Sequence, residues 1–312
     1  MMDLVFCGTP AFAVPTLEKL VACSFRVRLV VTQPDRASGR GLALAASPVK
    51  QAALQHGLPI LQPDKIKNNQ EFRAELERIA PDAIIVVGYG RIIPQWMIDL
   101  PRYGNLNLHG SLLPKYRGAA PIQWAVAHGE PVTGVTTMRI DAGLDTGDIL
   151  LQEEERIKPE DTALTLGPRL AQTGAELVIR TLAGLANGTL TAQPQDNSKA
   201  TLAPILKKED GLIDFSRTAI KAWNRLRGFQ PWPGAFTTFR GKTLQVHTAV
   251  PAPEIAVVQP GYFTVEHGRL LLGFAHGPAL EVQELQVEGK KRMSAADFLN
   301  GYRPKSDERV GA

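Results

Sequence analysis

The chain has 312 residues, enough for two domains with separate cores. Hydrophobic residues make up 44% and charged residues 21%, which excludes a disordered chain, and no run of 18 apolar residues is present to span a membrane. Formal net charge is +4 and unevenly placed, with 20 Lys+Arg against 20 Asp+Glu in residues 1–204 and 15 against 11 in residues 205–312. A basic last third on a neutral body suits a polyanionic partner, and solubility alone accounts for it almost as well. Cys7 and Cys23 sit in apolar contexts and read as reduced core thiols. No His-x-x-x-His spacing and no second cysteine pair offers ligands, so no metal is expected. The first eight residues lack the basic flank and long apolar stretch of a secretory signal, and the expected location is cytoplasmic.

In chain order, Asp3–Cys7 predicts a short buried strand and Gly8-Thr9-Pro10 a tight turn. The spacing of Phe12, Leu17, Leu20 and Val21 then predicts a helix. Arg26–Thr32 reads as a second strand. Gln33–Pro48 is a polar, glycine-containing loop, too long for an ordinary strand-to-helix connection and of a size that usually binds something or moves. Val49–His56 predicts a helix, Leu58–Leu61 a brief strand and Asn69–Ile79 a helix with i,i+4 charges. Ala83–Val87 and Leu106–His109 are runs of buried-strand type. Val132–Ile140 and Ile149–Ile157 predict two further strands around the loop Asp141–Asp148, and Leu164–Leu185 a long helix. This alternation predicts an α/β fold, a doubly wound and mostly parallel sheet, with ligands outside the carboxyl ends of the strands near Tyr89 and His109.

Polar, weakly periodic sequence after Asn187 reads as a linker, giving expected domains at 1–188 and 205–312 joined by residues 189–204. Beyond it, a helix is predicted near Thr218–Arg227. Short β-type runs follow at Ala235–Arg240, Thr243–Thr248, Gly261–Glu266, Leu270–Phe274 and Leu280–Leu285, which suggests a small β-barrel.

Asn107-Leu108-His109-Gly110 carries the first chemical signal. Side chains two apart on a strand share a face, so Asn107 and His109 can aim at one pocket, and Gly110 lets the chain leave the strand beside a ligand. An amide donor with an imidazole suits a carbonyl that becomes a tetrahedral oxyanion. Asp141-Ala142-Gly143-Leu144-Asp145-Thr146-Gly147-Asp148 is a second signal, a glycine-bearing loop able to swing a carboxylate over that site. Each also has a structural reading, as a histidine satisfying a nearby backbone group and an aspartate capping a solvated turn. Gly8-Thr9-Pro10 lacks the Gly-x-Gly-x-x-Gly spacing of a dinucleotide site, and Pro10 removes an amide where one would be needed. The remaining histidines, His56, His128, His247, His267 and His276, read as surface or structural, and Trp223 and Phe229–Phe236 as barrel core and turn.

Taken together, Asn-x-His-Gly-Ser-Leu-Leu-Pro at 107–114 and Asp-x-Gly-x-Asp-Thr-Gly at 141–147 resemble the folate-dependent formyltransferases. The stretches 6–13, 32–36, 39–41, 47–50, 115–122 and 229–235 fit as well, so the resemblance covers essentially the whole chain. It implies a Rossmann-like formyltransferase domain and an OB-like carboxyl-terminal barrel that binds tRNA. It further implies N10-formyltetrahydrofolate as co-substrate, initiator methionyl-tRNA as acceptor, and a monomer. By the same resemblance Asn107, His109 and Asp145 form the catalytic trio, and Ser111, Leu112, Leu113 and Pro114 bind folate. Tyr89, Gly90, Arg91 and Ile92 flank the pterin, and Arg36, Arg40, Lys207 and Lys208 touch tRNA. One departure stands out: Leu42–Ala46 is uncharged where the family often places lysines. A relative acting on an amino-sugar nucleotide or purine precursor would share the trio. The Gln33–Pro48 loop and the basic last third separate the two, because a small acceptor needs neither.

Overall fold

A strand covered on both faces must be apolar along its length, and Ala83–Val87 is buried at every position. In the computed structural model, which describes residues 2–23, 25–38, 43–255, 258–305 and 308–311, this run lies in the first of two compact units. That unit comprises residues 1–121, 132–156 and 167–203. It opens with β1 (Asp3–Gly8), α1 (Val14–Ala22), β2 (Arg26–Val31), the short strands β3 (Arg36–Ser38) and β4 (Ala43–Ala45), α2 (Pro48–Gln55) and β5 (Ile60–Leu61). It continues with α3 (Gln70–Ile79), β6 (Ala83–Val87), α4 (Gln95–Ile98) and β7 (Asn105–His109). After α5 (Pro121–His128), most of which belongs to the second unit, come β8 (Val132–Arg139), β9 (Ile149–Arg156) and α6 (Ala163–Ala186).

Among the described residues a seven-stranded sheet runs in the order β5-β2-β1-β6-β7-β8-β9. Its first five strands are parallel, and β8 and β9 close the edge antiparallel. The order reverses between β1 and β6, where Gly8 pairs with Val87, so the crevice beyond those strand ends is where such sheets take ligands. Ser47 caps α2 by accepting from the Lys50 amide, and Asn69 caps α3 through the Phe72 amide.

Three local features were not evident from hydrophobic periodicity. The ends of the long loop pair as the antiparallel strands β3 and β4. Its root is tied down where Asp35 accepts from Lys50 Nζ at 2.6 Å and Gln62 Nε2 at 2.8 Å, bonds that hold the Asp35 carboxyl below its usual range. Pro121 starts α5 at a position where the missing amide costs nothing. Residues 187–203 lie within the first unit, and Gln193 exchanges two backbone hydrogen bonds of 2.8 Å with Ile149.

The second unit takes in residues 122–131, 157–166 and 204 onward. It holds α7 (Ala219–Gly228), β10 (Ala235–Phe239), β11 (Lys242–Ala252), β12 (Phe263–Glu266), β13 (Arg269–Leu272), β14 (Ala279–Val287), β15 (Met293–Ser294) and α8 (Ala295–Tyr302). The antiparallel order β10-β11-β14-β13-β12, with β15 on β14, gives a barrel-like domain. Alternate burial along β10 is what a half-buried strand requires. Phe239, Phe263 and Phe298 fill its centre, their ring centroids 5.3–6.0 Å apart. Trp223 packs on this core and Phe229 is buried, whereas Trp232 in the following turn is 55% exposed. Among the described residues no helix is long and apolar enough to cross a membrane.

Truncating Phe298 removes the ring that touches both other aromatic centres. Phe298→Ala is expected to destabilise the barrel by about 3–5 kcal/mol. Chemical denaturation measures this, and a loss under about 1 kcal/mol would contradict the packing described.

Candidate active site

Strand β7 presents alternate side chains to two environments. Leu106 and Leu108 are 2% and 3% exposed, and α6 passes so close that a Cβ on Gly174 would meet Leu108 Cδ2 at 2.6 Å. On the opposite face lie Asn105, Asn107 and His109. Asn105 is spent structurally, donating to the Met97 and Ile98 carbonyls at the end of α4. Asn107 and His109 stand nearer the carboxyl end of the strand.

The His109 ring is 6% exposed, and its Nε2 lies 2.8 Å from the Tyr116 carbonyl oxygen. A carbonyl only accepts, so Nε2 must carry a proton and donate. Nδ1 is thereby turned to Asp145, 3.7 Å from Oδ2. Tyr116 reaches this position through a left-handed backbone, φ 62°, with its own amide donating to Thr201 Oγ1 at 2.9 Å.

Of the three loop carboxylates, Asp141 folds the turn: it accepts from the Gly143 amide and from the Thr146 hydroxyl. That frees Asp145 to point inward. Its backbone is also left-handed, φ 52°, a region asparagine and aspartate tolerate better than most residues. Oδ2 accepts from the Gly118 amide at 2.8 Å, and Oδ1 lies 3.5 Å from Asn107 Nδ2. The loop closes only with glycine at 147, where a Cβ would meet the Arg139 carbonyl oxygen at 1.9 Å. Asn107, His109 and Asp145 therefore converge. The 3.5 and 3.7 Å gaps exceed good hydrogen-bond lengths, so the three groups are gathered without consuming one another.

The stretch expected to bind folate follows directly. Ser111 and Leu113 are buried, Leu112 and Pro114 partly so. Ser111 Oγ donates to the Lys115 carbonyl, while Thr136 Oγ1 accepts from the Leu113 amide and donates to the Ser111 carbonyl. Gln152 Nε2 adds a bond of 2.9 Å to the Leu113 carbonyl, so the segment is a rigid shelf beside the trio. At the end of β6, the Tyr89 ring is 1% exposed in the sheet core, and burial pushes its phenol up from the usual value. Gly90, Arg91 and Ile92 are exposed, Ile92 to 92%. Gln33 Nε2 donates to the Tyr89 carbonyl at 2.8 Å and receives Arg36 on its oxygen at 2.7 Å, which ties this turn to the root of the long loop.

Arg36, Lys207 and Lys208 are exposed, and Arg40 lies outside the described residues. Among the described residues no group of three or more His, Cys, Asp or Glu is placed to hold a metal. Sequence reasoning did not find Thr136, Gln152, Arg117 or Gln195 as parts of the site. Arg117 stood only inside a matching stretch, and Gln195 sits in polar sequence with no periodicity to mark it.

An amide and an imidazole at a strand end, beneath a loop carboxylate, are groups that can polarise a carbonyl and move a proton beside it. The chain belongs to the formyl transferase family: the profile described as formyl transferase matches residues 2–182, and that described as formyl transferase, C-terminal domain, matches residues 205–303. It is 65% identical over 310 residues to the methionyl-tRNA formyltransferase of Koribacter versatilis, covering 99% of both chains. To that of Geobacter sulfurreducens it is 47% identical over 311 residues, covering 99% of this chain and 97% of the relative. Among solved structures, the N-formyltransferase from Helicobacter canadensis in complex with folinic acid and dTDP-3-aminofucose shares the fold, with a TM-score of 0.68 at 20% identity over 91% of this chain and 99% of that one.

Because Gly147 has no room for a methyl group, Gly147→Ala is expected to displace the Asp145 loop and cost about 1–3 kcal/mol of stability. Thermal unfolding checks this, and an unchanged midpoint would contradict the loop packing.

Proposed function

We propose that this chain transfers the formyl group of N10-formyltetrahydrofolate to the free amine of methionine on initiator methionyl-tRNA. The observation that carries the chemistry is the convergence of Asn107 Nδ2 and His109 Nδ1 on the Asp145 carboxyl, at 3.5 and 3.7 Å. The acceptor is supported by end-to-end similarity to methionyl-tRNA formyltransferases and by the charge excess of residues 205–312. The 33–48 loop, tied at Asp35 to Lys50 and Gln62, supports it too, since a small acceptor needs no such arm.

In this reading Asn107 and the doubly protonated His109, through Nδ1–H, donate to the formyl oxygen as the amine adds to the formyl carbon, each donor lowering the barrier by roughly 3 kcal/mol. Asp145 takes the proton the amine sheds, directly or through water. His109 keeps Nε2 on the Tyr116 carbonyl throughout, so Nδ1 is the nitrogen that faces the reacting atoms. As the bond from the formyl carbon to N10 breaks, the same network returns a proton to N10, and the proton count balances. Ser111–Pro114 form the shelf against which the folate lies, and the turn of Tyr89, Gly90, Arg91 and Ile92 flanks its pterin. Residues 205–312 form the tRNA-binding domain, with Lys207 and Lys208 contacting the tRNA backbone alongside Arg36 and Arg40.

Formyl transfer from N10-formyltetrahydrofolate to charged initiator tRNA, with free methionine and uncharged tRNA as controls, tests the reaction. Activity confined to a small amine would overturn the acceptor. His109→Ala and Asp145→Ala are each expected to lower kcat by about 100-fold or more, and a change under about fivefold in either would refute their roles. Replacing Lys207 and Lys208 together by Ala is expected to raise the KM for tRNA and to flatten its salt dependence by about one to two units of log–log slope. The KM for the formyl donor should stay unchanged, and an unaltered tRNA slope would remove these lysines from the interface.

A further inference from the structure

Gln195 lies in the polar stretch that follows α6, more than 40 residues beyond the loop it touches. Its Nε2 donates to the Asp145 carbonyl at 2.9 Å and to the Gly147 carbonyl at 2.7 Å. Its Oε1 accepts from Arg117 Nε at 3.0 Å and Nη2 at 2.7 Å. Arg117 is 7% exposed, and its Nη2 also reaches Asn197 Oδ1 at 2.8 Å. The orientation of the amide follows from its partners, since a guanidinium only donates and a carbonyl only accepts. Both hydrogens and both lone pairs of Gln195 are therefore used.

The neighbouring backbone repeats the pattern. Gln193 pairs with Ile149 on one side of the Asp145 loop. Arg117 donates its amide to the Thr201 carbonyl and accepts from the Ala203 amide, and the Thr201 side chain accepts from the Tyr116 amide. Tyr116 supplies the carbonyl that holds His109, and Gly118 the amide that holds the Asp145 carboxyl. Residues 193–203 thus strap together the two stretches that aim the imidazole and the carboxylate. Asp145 sits at φ 52°, a conformation that persists only where surrounding bonds over-determine it.

We propose that Gln195, oriented by Arg117, is a positioning residue that holds the Asp145 loop with its carboxyl turned toward Asn107 and His109. It touches no substrate and acts through Asp145, so the proposal rests on the catalytic reading of that residue. A glutamate there would still meet Arg117 but would lose both donors and set a carboxylate against two carbonyl oxygens. A leucine fills the space and makes none of the four bonds.

The test is a double-mutant cycle on the full chain, with Gln195→Leu, Asp145→Ala and their combination, reading kcat and both KM values. Gln195→Leu is expected to lower kcat by about 10-fold or more with the donor KM within about threefold, and to add less than about twofold in the Asp145→Ala background. Equal losses in both backgrounds, or an unchanged kcat in Gln195→Leu, would overturn the proposal. Full activity in Asp145→Ala alone would instead sink the catalytic reading, and the proposal with it. A readout independent of turnover is hydrogen exchange at the Gly118 amide. In Gln195→Leu its protection is expected to fall by about tenfold while amides of β1 and β6 keep theirs. Unchanged protection at Gly118 would overturn the strap even where activity is too low to measure.

Discussion

One carboxylate held in an unusual place sets the geometry of the site. Asp145 projects from a left-handed backbone, its Oδ2 fixed by the Gly118 amide and its Oδ1 left within 3.5 Å of the Asn107 amide. A charge-assisted bond to a backbone amide is short and directional, so it sets where the carboxylate stands before any substrate arrives. The rest of the loop serves that placement. Asp141 folds the turn, and Gly147 admits a carbonyl where a side chain would collide.

The imidazole is constrained from the other side. With Nε2 spent on the Tyr116 carbonyl, Nδ1 is the ring nitrogen that faces the carboxylate. Burial of the ring at 6% exposure limits the access of water to the gap between the two groups. Because the bonds from Gly118 and Tyr116 come from one short stretch of chain, a shift in residues 116–118 would move both partners together. A site supported this way is pre-organised, which is what stabilising a transient oxyanion requires.

Much of this was legible in the sequence. The buried strands announced themselves by apolar runs, and the same-face spacing of Asn107 and His109 follows from the two-residue period of a strand. The glycines of 143 and 147 marked a loop able to swing a carboxylate over the site. What stayed hidden depends on long-range partners. Nothing local shows that Asp145, rather than Asp141, faces inward, because the choice is made by Gly118 across the fold. Residues 189–204 read as connecting sequence, and their backbone and side-chain bonds to Ile149, Tyr116 and Arg117 leave no hydrophobic pattern to display. Likewise β3 and β4 are too short for their alternation to register, and α5 buries the consecutive Ala125, Val126 and Ala127, a run without an amphipathic period.

The most direct measurement is nitrogen NMR of the His109 ring, with its signals assigned by a His109→Gln control. Nε2 is expected to be protonated in the free protein, with a slowly exchanging hydrogen bonded to the Tyr116 carbonyl, and Asp145→Asn to change the signal of Nδ1 far more than that of Nε2. A ring whose Nε2 is unprotonated, or whose Nδ1 does not respond to Asp145, would contradict this geometry.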